Sequence, residues 1–209
     1  MPVVIYSTYI PVSDSGREIA AQEHRLGRSL LYDGLLSLYG LTVSPEDIAV
    51  GKNGKPYLMS APDIHFNISH CSGLAACAFD NETIGTDAEL IGYFAEILIK
   101  RTLSEAEKHF LADIALDENE RNEWFYRFWT LKEAYVKRTG IGVDTDLTAF
   151  SFFFNGPPED PASDIICSAP AVSCFQKKLE SGHIISVCCS GTCKDIVLLK
   201  HQGNPQFTF

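Results

Sequence analysis

No run of eighteen apolar residues occurs in the sequence, so a membrane-crossing helix is not expected. Met1-Pro2-Val3-Val4-Ile5 also lacks the basic start and apolar stretch of a secretory leader, and the expectation is a cytoplasmic protein with no membrane partner. Positive charge is in short supply. Seventeen Lys plus Arg against 27 Asp plus Glu leave a net charge of −10, which repels a phosphate backbone and argues against nucleic acid as a partner. Among the seven cysteines (Cys71, Cys77, Cys167, Cys174, Cys188, Cys189 and Cys193) there is no C-x-x-C pair. Zinc–thiolate and dithiol redox sites are therefore not expected, and the thiols read as small buried groups in a reducing compartment. With 45% hydrophobic and 21% charged residues over 209 positions, the chain is not disordered and is long enough for one large core or two small ones.

Val3 to Tyr9 is β-branched and aromatic and reads as a strand. Ser15-Gly16-Arg17-Glu18 has the form of a capping box, and Leu26, Leu30, Leu31, Leu35 and Leu38 then recur at helical spacing until Gly40. Arg25 and Arg28, three apart, share a face of that helix. Short strands are expected over Ile64 to Ser69, Leu74 to Phe79 and Ile84 to Leu90, with Asp80-Asn81-Glu82 as a hairpin tip. Ser104 to Glu107 is a second capping box, with Phe110, Leu111 and Ile114 facing inward beyond it. Trp124, Phe128, Leu131 and Tyr135 mark a longer helix that stops at Gly140-Ile141-Gly142. A loop over Asn155 to Asp164 precedes strands near Ile184 to Cys189 and Ile196 to Leu199. The fold class is α+β. Strand, long helix and strands occur twice, once before the Asp80 turn and once after it, which fits a two-halved architecture with a cleft between the halves.

Asp87 and Glu89 stand two apart on a strand, so both leave one face while Ile84, Thr86, Ala88 and Leu90 leave the other. Two carboxylates about 5 Å apart repel by roughly 3 kcal/mol at an effective dielectric near 20, and either exposure to water or a hard divalent cation relieves them. Trp129, Glu133 and Lys137 form an i, i+4, i+8 stripe on the long helix, read either as a surface ion pair or as a third carboxylate for a magnesium site. Gly51 to Pro56 fails as a P-loop, having two residues between its glycines and proline after the lysine. Lys55 there is either held stiffly by a turn or part of a solvated loop. Ser69 and His70 end a strand with groups able to bind phosphate oxygens.

Three blocks, Phe66 to His70 (FNISH), Gly85 to Glu89 (GTDAE) and Phe128 to Gly142 (FWTLKEAYVKRTGIG), resemble in order and separation the signature of the larger, two-halved 4′-phosphopantetheinyl transferases. The third block, with its W-x-x-K-E-A-x-x-K core, is the most specific, and the resemblance covers roughly residues 17 to 150. Thr86 and Ala88 stand where the family usually has larger apolar residues. The resemblance implies a transfer of the phosphopantetheine arm of coenzyme A to a serine of an apo acyl, peptidyl or aryl carrier protein, with release of adenosine 3′,5′-bisphosphate. It also implies a pseudo-dimer of two similar α/β halves, residues 1–82 and residues 83–209, with the active site in the cleft between them and the second half carrying the metal site. It further implies Mg2+ held by Asp87, Glu89 and Glu133, with Glu133 taking the serine proton and Lys137 neutralising the leaving group. Lys55, Ser69 and His70 would bind phosphate oxygens of coenzyme A, and Arg25 with Arg28 its 3′-phosphate. A noncatalytic binding homologue and a magnesium-dependent diphosphate hydrolase are the alternatives. The chain is expected to act as a monomer and to dock acidic carriers near Lys100 and Arg101, where Lys108 and His109 add positive charge.

Overall fold

In the computed structural model, which describes residues 1–11, 15–114, 117–142, 145–160, 163–191 and 195–201, strand β1 (Val3–Thr8) leads into helix α1 (Gly16–Tyr39). Strands β2 (Ile48–Val50), β3 (Pro56–Leu58), β4 (His65–Cys71), β5 (Leu74–Asp80) and β6 (Ile84–Leu90) follow, then helices α2 (Glu96–Thr102), α3 (Glu105–Ile114) and α4 (Glu118–Thr139). The chain closes with β7 (Phe152–Phe154), β8 (Ile165–Cys167), β9 (Val172–Lys178), β10 (His183–Ser190) and β11 (Val197–Lys200). The mixed α+β class expected from the pattern is what forms. Both long helices end as their glycines require, with Gly40 at φ 68° and Gly140 at φ 64° in the left-handed conformation.

One sheet has the order β11-β1-β5-β4 and a second the order β6-β10-β9-β8-β7, with β2 and β3 as a separate ribbon. Side-chain alternation explains why β5 is buried throughout. Ala75, Cys77 and Phe79 pack with Leu26, Leu30, Leu31 and Leu35 of α1, whereas Leu74, Ala76 and Ala78 meet Ile84 and Ala88 of β6 and Ile185, Val187 and Cys189 of β10. The opposite face of β10 offers Cys188 to Phe128, Leu131 and Ala134 of α4. The result is four layers: α1, first sheet, second sheet, α4.

Two expectations change. Asp80-Asn81-Glu82 is not a hairpin tip, because β5 is already flanked by β1 and β4, so β6 has no edge to join and the turn passes the chain into the second sheet. Ser104 and Glu107 form the reciprocal capping box, with Ser104 N–H donating to Glu107 Oε2 (2.8 Å) and Glu107 N–H to Ser104 Oγ (3.3 Å). Ser15 does not: it is the N-cap of α1 without a side-chain cap bond, and its carbonyl takes the first helical bond from Ile19 N–H. Strand β11 pairs in parallel with β1 in the first sheet.

Charge is also buried where the helical stripe shows only apolar residues. Lys132 of α4 and Glu107 of α3, both 0% exposed, are 2.9 Å apart, and Lys132 Nζ donates to the carbonyls of Leu147 (2.7 Å) and Phe150 (2.6 Å). Glu107 in turn accepts from Phe152 N–H at 2.8 Å. A pair so fully satisfied acts mainly to fix how α4 is rotated against its neighbours.

Candidate active site

Two edge strands from different sheets meet through side chains. Asn67 Oδ1 accepts from Thr86 N–H (2.8 Å) and Ser69 Oγ from Ala88 N–H (3.2 Å), so β4 satisfies backbone donors on the free edge of β6. Thr86, buried as its parity requires, donates its hydroxyl to Ser186 O at 2.9 Å, so a polar residue is accommodated there. On the other face of β6, a Cβ at Gly85 would stand 2.1 Å from Ala134 O and 2.2 Å from Arg138 N. Only glycine lets the backbone of α4 lie this close. The same junction is fastened by Lys55, whose Nζ donates to Ile84 O (2.8 Å) on β6 and to Lys137 O (2.8 Å) and Arg138 O (3.0 Å) at the end of α4. Burial, with the Arg138 charge adding to it, holds the Lys55 ammonium down to about 8. Asn53 Nδ2 donates to Gly140 O at 2.9 Å beside it.

β4, β6 and α4 thereby enclose a cavity of about 240 Å3 lined by Ile68, Ser69, His70, Asp87, Glu89, Trp129, Glu133 and Lys137. Lys137 Nζ donates to Asp87 Oδ1 (2.6 Å) and Ser69 Oγ (3.1 Å), and the Ser69 hydroxyl donates to Asp87 Oδ1 (3.0 Å). Burial first, then the Asp87 charge, pushes Glu89 up to about 7, against a hydrogen bond from the Trp129 indole and the Lys137 charge. Burial and Asp87 also raise Glu133, with Lys137 opposing. His70 is lowered by burial, which outweighs the opposing charge of Glu23. Three acids, a lysine, an imidazole and a hydroxyl thus share one pocket, a set suited to holding a cation and the oxygens of a phosphate.

A family model described as the 4′-phosphopantetheinyl transferase superfamily matches residues 83–188, just over half of the chain. The chain belongs to that superfamily. Among curated phosphopantetheinyl transferases, the one named Sfp from Bacillus subtilis (strain 168) is 35% identical over 126 residues, 60% of this chain and 55% of the relative. The one named gsp from Aneurinibacillus migulanus is 32% identical over 144 residues, 68% of this chain and 56% of its own length. The Bacillus subtilis enzyme named ffp aligns over 182 residues at 28% identity, covering 85% of this chain and 79% of the relative. The chain spans about half the length of the first relatives it matches.

Residues of all three blocks line the cavity, Ser69 and His70 from the first, Asp87 and Glu89 from the second, and Glu133 and Lys137 from the third. Lys55 does not line it, its three donors being spent on the carbonyls that join β6 to α4. Arg25 and Arg28 are exposed on α1 and do not line it either. Lys100 and Arg101 are exposed in the last turn of α2, Lys108 pairs with Glu105 at 2.8 Å, and Cys193 lies outside the described residues. Sequence reasoning missed Glu23 behind His70, and the Trp129 hydrogen bond to Glu89, although Trp129 in the Glu133 stripe was its signal.

Asp87 Oδ2 is buried with no hydrogen-bond partner, and Glu89 and Glu133 are both pushed toward their neutral forms, so the pocket is short of positive charge. As the side chains stand, no group of three or more His, Cys, Asp or Glu among the described residues converges to hold an ion. The chemistry of the donor set, oxygen-only carboxylates with an orphaned acceptor, nevertheless suits a hard cation such as Mg2+.

Proposed function

We propose that this chain transfers the 4′-phosphopantetheine arm of coenzyme A to a serine of an apo carrier protein, releasing adenosine 3′,5′-bisphosphate. The observation that carries this reading is the convergence of all three sequence blocks on one 240 Å3 cavity. In the reaction the serine oxygen forms a bond to the β-phosphorus of coenzyme A, and the diphosphate bridge breaks with its electron pair leaving on the bisphosphate. Glu133, made more basic by burial and by Asp87, takes the serine proton. Lys137 leaves its pair with Asp87 to meet the departing bisphosphate, while Ser69 and His70 bind phosphate oxygens and Arg25 with Arg28 grips the 3′-phosphate. Asp87, Glu89 and Glu133 would hold Mg2+, which when bound supplies charge neutralisation at the diphosphate. Lys55, by contrast, reads as a fastener of the junction between β6 and α4.

The same reading takes the two sheet-and-helix units as a pseudo-dimer, residues 1–82 and 83–209, with the site in their cleft. It takes the chain as a cytoplasmic monomer, supported by the free thiols of Cys71, Cys77, Cys167, Cys174 and Cys188 among the described residues and by a cavity that one chain completes. Acidic carriers would dock at α2, where Lys100 and Arg101 stand near the exposed Tyr93 and Ile97. The test incubates the protein with magnesium, coenzyme A and a panel of apo carriers, and weighs the carriers by mass spectrometry. A gain of the phosphopantetheine mass identifies the carrier. Bisphosphate release without any carrier points instead to a hydrolase, and coenzyme A binding with neither outcome to a noncatalytic homologue.

A further inference from the structure

The cavity wall has a second layer behind His70. Glu23 Oε2 on α1 lies 3.1 Å from His70 Nδ1, and Tyr9 donates its phenol to Glu23 Oε1 at 2.9 Å while lying 3.2 Å from Cys71 O. Both carboxylate oxygens are therefore engaged, and the Glu23 side chain is only 13% exposed. Burial, reinforced by the Glu23 bond, pushes the Tyr9 phenol well above its ordinary range, so it stays a donor. Neither Glu23 nor Tyr9 lines the cavity.

We propose that Glu23 is a positioning residue that holds His70 by Nδ1 and so commits Nε2 to the ligand in the cavity. A carboxylate accepts and does not donate, so the proton between the two side chains sits on Nδ1. That is the less populated tautomer of a neutral imidazole in water, and it leaves Nε2 as the ring nitrogen for an incoming group. When that group is a phosphate oxygen, Nε2 must carry a proton as well, and Glu23 then neutralises the ring. The ring's other neighbours work the opposite way. His24 of α1 meets it edge-on with centroids 4.8 Å apart, and the Lys137 charge of α4 also lowers its basicity. Without Glu23 the imidazole loses the carboxylate that favours its cationic form and the bond that fixes its rotation.

This inference rests on the phosphopantetheine reading for its ligand but not for its geometry, and the experiment separates the two. The imidazole nitrogen shifts of 15N-labelled protein are read by NMR for wild type, Glu23→Ala and Glu23→Gln, and coenzyme A affinity is measured by calorimetry for these and for the same changes in a His70→Ala background. The wild-type ring is expected to carry its proton on Nδ1, and Glu23→Ala to move it to Nε2. Glu23→Ala should weaken coenzyme A roughly tenfold, in line with other residues that orient a ligand-binding histidine, and by less than twofold once His70 is alanine. Glu23→Gln, which keeps an acceptor but not the charge, should restore the tautomer and only part of the affinity. A wild-type ring protonated on Nε2, or an equal penalty with and without His70, overturns the proposal. Should coenzyme A fail to bind wild type, the reading of the cavity falls and the tautomer alone upholds or overturns the role of Glu23.

Discussion

Replacing Gly85 by alanine tests the contact on which the geometry of the cavity depends. The new methyl would stand 2.1 Å from Ala134 O, 2.2 Å from Arg138 N and 2.8 Å from Arg138 Cα. These are backbone atoms that cannot swing aside. Because contacts of this kind settle near 3.5 Å, α4 must retreat from β6 by roughly 1 Å. Overpacking costs about 1 to 3 kcal/mol, and an unyielding backbone puts this site near the top of that range. A loss of about 3 kcal/mol lowers the melting temperature of a chain this size by roughly 6 to 12 °C. The same retreat separates Glu133 and Lys137 on α4 from Asp87 and Glu89 on β6, and a misplacement of about 1 Å typically costs on the order of 100-fold in rate. Stability is read by urea unfolding through Trp124 and Trp129 fluorescence, and transfer by the mass gain of an apo carrier at a temperature where the variant is still folded. If Gly85→Ala unfolds with the wild-type midpoint and transfers at a rate within twofold of wild type, close approach of α4 to β6 does not set the site.

Asp87→Ala and Glu133→Gln should each abolish transfer with little change in secondary structure by circular dichroism, since both side chains serve the cavity; near wild-type turnover at saturating magnesium would remove them from it. Glu89 is raised to about 7, so between its unfolded value near 4.5 and pH 7 the folded state holds more protons than the unfolded state, and without metal its contribution to stability is lost as pH rises through 7. Glu89→Gln should therefore stabilise the metal-free protein at pH 8 by on the order of 1 kcal/mol after allowance for partial exposure, and hardly at all at pH 4, as checked by thermal melts in a chelator; a variant less stable at pH 8 contradicts the assignment. Arg28→Ala should weaken coenzyme A more than its 3′-dephospho form, by about 1.5 to 3 kcal/mol in calorimetry, and equal weakening of both ligands moves Arg28 off the 3′-phosphate. Reversing Lys100 and Arg101 to Glu should raise the KM for an acidic carrier steeply at low salt and less at high salt with the Kd for coenzyme A unchanged, whereas a flat salt series moves docking elsewhere.

How legible the molecule was depends on whether a contact repeats along the chain. Both long helices could be read because their leucines and aromatics recur every three or four residues and a glycine ends each. Asp87 and Glu89 share a face by the strict parity of a strand, and the pocket needed only three blocks whose spacing is written in the sequence. Strand β9 was invisible because Val172–Lys178 mixes polar and apolar residues on a sheet partly open to water, and β7 and β8 because three residues each are too few to show a period. Lys132 with Glu107, Lys55 on three carbonyls, and Glu23 behind His70 were equally hidden. Each joins residues distant in the chain, and a buried charge leaves no periodic trace.

The pairing of β11 with β1 bears on how the chain is made. The ribosome delivers β1 almost two hundred residues before β11, and the second sheet likewise sets β6 beside β10, residues 84–90 against 183–190. Neither sheet can close until β10 and β11 have emerged, and until then the outer edge of β1 and the long edge of β6 are bare templates for pairing with another nascent chain. Synthesis rate and chaperone supply, more than the stability of the finished fold, would then govern the yield of active protein, and fusions that delay release of the last strands should raise the aggregated fraction.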